Sequence, residues 1–239
     1  MRTRFLLPFF GLALLLASGC GDSQAGHENL PAAPKTPGAL PATPGADVGP
    51  TPAPPEQPAG NKADMVYFNA VGSDHSVKPP EAPWKILDVP DSEAVASTKV
   101  LFLEDRVNEK LGKQEILCGG QKDYAFPGTV EYQFELAKAD SYVTFVHANF
   151  QDDCGNSVFV KVDDGPIYRI EYAVAKEFNT EYKWTCPLSE GNPVTLKLEA
   201  GKHTMTLLNR EDGIKIDQIL ICSKKLAPKF DQLQAPIKK

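Results

Sequence analysis

Between residues 129 and 136 apolar and polar side chains alternate without a break. Val130, Tyr132, Phe134 and Leu136 fall on one face, and Thr129, Glu131, Gln133 and Glu135 on the other. A period of two is that of a strand with one dry face and one wet face. Runs of similar texture recur over 99–104, 141–148, 157–163, 167–172, 181–186, 194–199, 203–208 and 215–221, separated by Gly, Asn, Asp and Pro. Short strands at this spacing predict an all-β sandwich from about residue 64 to residue 223. Only 105–113 has helical character, and it is long enough for one short helix. Asp163-Asp164-Gly165-Pro166 and Glu199-Ala200-Gly201-Lys202 carry turn chemistry, and each predicts a hairpin between its flanking strands.

Upstream the pattern is different. An apolar run over 5–17 follows Arg2 and Arg4. It is shorter than the ~20 residues a bilayer core requires and has the length of a signal-peptide apolar region. The next residues, Leu16-Ala17-Ser18-Gly19-Cys20, resemble a bacterial lipobox, which implies cleavage before Cys20 and its acylation. The resemblance places the protein in the bacterial cell envelope, held by a lipid anchor only, and Gly21 after the cysteine points to the outer membrane. Residues 21–61 hold ten prolines among Ala, Gly and Thr, with almost nothing large and apolar to bury. Such a segment reads as a disordered, polyproline-biased spacer with a reach on the order of 100 Å. The resulting organisation is a signal peptide over 1–19, a lipidated Cys20 and linker over 20–62, and an N-terminal extension over 63–98. The sandwich then occupies 99–223 and a tail 224–239.

Charge narrows the partners. Lys and Arg number 25 against 31 Asp and Glu, a net charge of −6, with no basic block to neutralise a row of phosphates. Nucleic acid is excluded as a partner on that ground. With Cys20 acylated, Cys118, Cys154, Cys186 and Cys222 remain. An exported chain with an even number of thiols predicts two disulfides, and three connectivities stay open. None of His27, His75, His147 and His203 has the spacing of a zinc pair, and His203 reads as a hydrogen-bonding residue beside a turn. No nucleophile elbow, HExxH, P-loop or Rossmann glycine pattern occurs, and the consecutive acids Asp163 and Asp164 point different ways in a turn. The chain reads as non-catalytic.

One stretch is more specific. Leu198-Glu199-Ala200-Gly201-Lys202-His203-Thr204-Met205-Thr206-Leu207 is followed by Asn209-Arg210-Glu211-Asp212-Gly213 and Ile216-Asp217-Gln218-Ile219-Leu220. With 129–148, 156–166 and Trp184, these residues resemble the galactose-binding-like jelly rolls that include family 6 and family 35 carbohydrate-binding modules. The resemblance implies a jelly-roll β-sandwich and a polysaccharide or glycan ligand held by aromatic rings and amides on loops. Trp184 and Tyr182 share one face of their strand, Asn149, Asp152, Asp153 and Asn156 lie in or beside one loop, and Tyr124 lies in the loop 119–128. These seven are the candidate ligand-binding residues, with core packing as the alternative for Trp184. A Cys154–Cys186 bridge would tie two of the loops together. In those families acids of the first and last strands hold a structural calcium. Here Phe102 stands in place of the first acid, leaving Glu104 and Asp217 as candidate ligands. The alternative for Asp217 is a carboxylate satisfied by backbone donors or Arg210. Two functions fit: a lipid-anchored module that holds glycan without catalysis, and a structural lipoprotein whose jelly roll docks an envelope protein.

Overall fold

The computed structural model of the chain describes residues 64–90, 97–173, 178–179 and 181–229. The signal segment, Cys20, the Pro-rich linker and the end of the tail lie outside the described residues. The larger sheet is built round two long antiparallel strands, β7 (Asp140–Phe150) and β15 (Ile214–Ser223). The other edge of β15 is shared by β3 (Lys99–Phe102) at residues 215–216 and β1 (Met65–Asn69) at residues 218–222. The other edge of β7 is shared likewise by β10 (Lys183–Thr185) and β13 (Leu196–Leu198), and β2 (Lys85–Asp88) extends the sheet beyond β3. The second sheet has the order β6 (Thr129–Leu136), β14 (Gly201–Leu208), β8 (Ser157–Val162) and β9 (Tyr168–Glu171). Two small hairpins stand apart: β4 (Gln114–Cys118) with β5 (Gln121–Ala125), and β11 (Leu188–Ser189) with β12 (Asn192–Pro193). The fold is an all-β jelly-roll sandwich, and no helix among the described residues is long and apolar enough to cross a membrane.

The alternation in β6 puts Val130, Tyr132, Phe134 and Leu136 into the core between the sheets. They meet Tyr142, Val146, Ala148 and Phe150 of β7 and Ile214, Ile216, Ile219 and Ile221 of β15. Each Val, Leu, Ile or Phe among them contributes about 1.5–3 kcal/mol when fully buried. The outer face of the larger sheet is also dry: Val143, Phe145, Trp184, Leu220 and Cys222 form a second buried cluster there. That is why β7 and β15 read as nearly continuous apolar runs rather than alternating ones.

Several expectations need correcting. The Glu199–Lys202 turn joins no hairpin, because β13 pairs with β7 in one sheet while β14 pairs with β6 and β8 in the other. Gly201, at φ 128°, carries the chain across between them. The helix expected over 105–113 is a single 3-10 turn, Asn108–Lys110. Part of the loop 119–128 is strand β5, entered through Gly119 and Gly120 at φ 56° and 84°. Among the described residues no disulfide joins two of Cys118, Cys154, Cys186 and Cys222, and Cys118 and Cys222 carry free thiols. Thr185 opposes Val146, which sets Cys186 beside Phe145. That is ~16 Å along β7 from the end where the Cys154 loop begins, at ~3.3 Å per residue. Burial, with Cys186 beside it, pushes the Cys222 thiol up to about 12, which leaves it unreactive.

The turn at 163–166 does join β8 to β9, and it holds a titratable contact. His203 Nδ1 lies 2.7 Å from Asp163 Oδ2 and Nε2 2.9 Å from the Glu199 carbonyl. A neutral imidazole has one N–H, so only the imidazolium donates to both. Burial alone would lower the His203 pKa, but the bonds to Asp163 and Glu199 outweigh it and raise it above the ordinary 6.5. The contact therefore stabilises the fold fully below 6.5 and is lost as pH rises through the raised value. Because Asp163 is open to solvent, the contribution is about 1 kcal/mol at most. Melting the wild type and His203→Gln at about pH 5.5 and about pH 8.5 should show a larger fall for the wild type; equal falls refute the account.

Candidate functional site

The structure does not gather the candidate sugar-binding residues on one surface. Trp184 and Tyr182 are 4% and 3% exposed. Their rings flank His147, at centroid distances of 4.9 and 5.6 Å, on the outer side of the larger sheet. Rings buried to this degree offer no face for a pyranose, so the platform expected of them is corrected to packing. Asn149 and Asn156 are buried as well, and the Asn156 N–H donates to Glu211 Oε2 at 3.2 Å. Asp152 Oδ1 accepts the Cys154 and Gly155 N–H groups, the work of a turn former, and Asp153 is exposed beside it. Tyr124 is 47% exposed, but it stands on the separate β4–β5 hairpin with Lys113 Nζ 4.6 Å above its ring.

The calcium pair fares similarly. Glu104 is exposed and bonded to Lys85, which holds its carboxyl below the usual range. Asp217 is fully buried, with Oδ1 2.6 Å from His147 Nδ1. The cause is a register shift: Ile216 opposes Ala148 and Gln218 opposes His147, so Asp217 is the extra residue of a β-bulge. The parity shared with Ile219 and Ile221 in the sequence is broken there. Glu104 and Asp217 do not meet, and no three His, Cys, Asp or Glu among the described residues are grouped to hold a metal.

What the fold does build is an open cleft of about 590 Å³ along the outer edge of β9. Tyr168, Arg169 and Glu171 of β9 line it, with Gln121, Lys122 and Asp123 on one side and Leu188, Ser189 and Val194 on the other. Both flanking hairpins turn through two consecutive positive-φ residues, Gly119-Gly120 and Glu190-Gly191, the backbone that tight hairpins demand. Bridges from Cys118 to Ile167 and from Ile170 to Pro187 set them against β9. Arg169 Nε lies 2.9 Å from Glu171 Oε2, and Arg169 Nη1 lies 3.8 Å from Asp123 Oδ2. Burial, then the Asp123 charge, raise the Cys118 thiol at the cleft's rim. Two cations and two carboxylates line this space. Their balanced charge and paired donors and acceptors suit a neutral polyhydroxylic ligand rather than an ion.

Behind the cleft Arg210 joins three segments. Its Nη1 bonds Ser157 Oγ and Glu211 Oε1, its guanidinium lies 5.8 Å over the Phe159 ring, and its Nε is 3.6 Å from Asp123 Oδ2. Burial raises the Glu211 carboxyl despite its bonds to Ser157 and Arg210. Reciprocal amide bonds between Asn108 and Asn209, at 3.0 and 2.7 Å, fix the loop that carries Arg210. Sequence reasoning placed β9 correctly but gave Tyr168, Arg169 and Glu171 no role, and it missed Asp123. The available signal was Gly119-Gly120 between Gln114–Cys118 and Gln121–Ala125, a two-residue hairpin loop hidden because neither flank alternates apolar with polar residues.

No protein-family model and no curated protein matches this chain. Solved structures similar in fold include an exo-β-1,3-galactanase from Phanerochaete chrysosporium, at 14% identity and TM-score 0.41, over 66% of this chain and 29% of that one. A family 35 carbohydrate-binding module from Cellvibrio japonicus is 7% identical with TM-score 0.42, over 66% and 93%. Another family 35 module, from Clostridium thermocellum, is 14% identical with TM-score 0.41, over 66% and 98%. The chain spans less than a third of the length of the galactanase.

Proposed function

We propose that this chain is a lipid-anchored, non-catalytic carbohydrate-binding protein of the bacterial envelope, and that the cleft along β9 holds the glycan. The observation that carries the reading is the cleft itself: planar side chains of Gln121, Asp123, Arg169 and Glu171 beside Tyr168, in a space of about 590 Å³. Vicinal hydroxyls of a sugar ring pair with such planar groups two at a time, each hydroxyl donating to a carboxylate and accepting from a guanidinium or amide. The lipobox-like residues through Cys20 and the proline-rich stretch behind it support an anchor and a spacer. Weak binding at one cleft gains strength when many anchored copies meet one polymer.

The test is affinity electrophoresis of the full chain through gels containing galactan, mannan or xylan, repeated with Arg169→Ala and Trp184→Phe. Retardation by at least one polymer, reduced about tenfold or more by Arg169→Ala and unchanged by Trp184→Phe, is expected, tenfold being about 1.4 kcal/mol. No retardation by a folded chain, or loss only in Trp184→Phe, defeats the proposal. A second reading, docking of an envelope protein, draws on Leu117 and Leu188, which are 63% and 56% exposed on the two hairpins. Crosslinking to a single envelope protein, abolished by Leu117→Ser with Leu188→Ser, would favour it.

A further inference from the structure

Among the described residues the β4–β5 hairpin forms a two-stranded sheet of its own, and it forms one side of the cleft. Several contacts tie it to the sandwich. The Gly119 N–H donates to the Ile167 carbonyl at 2.8 Å, and just past the hairpin the Phe126 N–H donates to the Asn209 carbonyl at 2.8 Å. Cys118 adds a bridge to Ile167 and a bond from the Arg169 backbone, and the Asp123 carboxylate faces two guanidiniums: Arg169 Nη1 at 3.8 Å and Arg210 Nε at 3.6 Å. Both distances lie just beyond hydrogen-bond reach. Arg210 Nε is buried and has no hydrogen-bond partner, an arrangement that costs free energy until a partner arrives. The rest of the guanidinium is fixed by Ser157, Glu211 and Phe159, so Arg210 does not move to the carboxylate. For the contact to shorten, the carboxylate has to approach it. An inward swing of the hairpin by less than about 1 Å turns the contact into a charge-assisted hydrogen bond.

We propose that the β4–β5 hairpin is a closing wall of the cleft, latched by Asp123 onto Arg210, and that Arg210 is a positioning residue that touches no ligand. Closure narrows the cleft from the side that carries Gln121 and Lys122. A ligand that contacts both this wall and β9 binds the closed form more tightly, and so shifts the hairpin toward it. The significance of closure rests on the reading of the cleft as a glycan site; the latch itself is tested without any ligand.

The experiment is hydrogen–deuterium exchange on the full chain, comparing the wild type with Asp123→Asn and Arg210→Lys. Both substitutions spare bulk, and the second keeps the charge while removing the Nε donor together with the Nη1 bonds to Ser157 and Glu211. In both, amides of residues 114–125 should exchange about 5–20-fold faster, while those of β6 and β14 stay within about twofold. Raising salt to about 1 M should speed hairpin exchange in the wild type and leave Asp123→Asn unchanged. Unchanged hairpin exchange in either variant overturns the latch. Equal acceleration throughout the sandwich also overturns it, since Asp123 would then be a general stability residue. If the hairpin responds as stated but no polysaccharide retards the chain, the latch stands and the glycan reading falls.

Discussion

Asp217→Ala is expected to cost about 3–5 kcal/mol, the scale for stripping one partner from a buried pair. Asp217 and His147 are both 0% exposed, and their contact spans the two central strands of the larger sheet. The loss leaves His147 Nδ1 without its carboxylate in a place where Nε2 already has no hydrogen-bond partner. Against a typical domain stability of 5–15 kcal/mol, such a change removes a large share of the folded population at 37 °C. Urea unfolding measures it. The double variant His147→Leu with Asp217→Ala should be more stable than the sum of the single losses predicts, by about 1–3 kcal/mol, because neither polar group is then left alone. Strict additivity would show that the pair is not what the fold depends on.

Gly128→Ala is the second large effect, expected at about 2–4 kcal/mol. Two costs coincide. Gly128 has φ +101°, which an L side chain rarely adopts, and a Cβ there would come within 2.7 Å of both the Ala82 carbonyl oxygen and Pro83 Cδ. The Gly128 carbonyl also receives the Asn209 N–H and the Trp84 indole N–H, each at 3.3 Å, so a displaced backbone loses bonds on two sides. Gly191→Ala separates the two costs. Gly191 sits at φ +77° in open space, and its substitution should cost only the backbone strain, about 1–2 kcal/mol. Thermal or urea unfolding of both variants decides it: equal losses would mean that the contacts with Ala82 and Pro83 relax freely.

The parts of the fold that were legible in the sequence are those where one local rule acts alone. In β6 the alternation from Val130 to Leu136 places every inward residue correctly, because only one face is dry. Turn residues reveal where the chain turns but not which sheet receives the next strand, so Glu199–Lys202 reads as a hairpin and acts as a crossing. A bulge is invisible to parity, which is why Asp217 pointed to a cation or Arg210 and finds His147. Trp184 and Tyr182 look alike whether they face a ligand or a cluster, because β7 and β15 are apolar on both sides. The cleft was the least legible part, since it depends on two small hairpins from distant parts of the chain meeting the edge of β9. Arg169, Glu171 and Asp123 are ordinary surface residues until that meeting occurs.

The crossing at Gly201 has a consequence for how the chain acquires its shape. The strand that follows it, β14, lies between β6 and β8, and the next, β15, joins β7 to β1 and β3. The last two strands among the described residues are thus the middle of both layers. A chain delivered from its N-terminus first can pair β2 with β3, β8 with β9, and β7 with β10 and β13, but both layers lack a central strand until residues beyond 201 arrive. A fragment cut short at that point retains most of the apolar residues but lacks the two central strands that cover them, so truncation from this end should yield an aggregating species rather than a smaller domain.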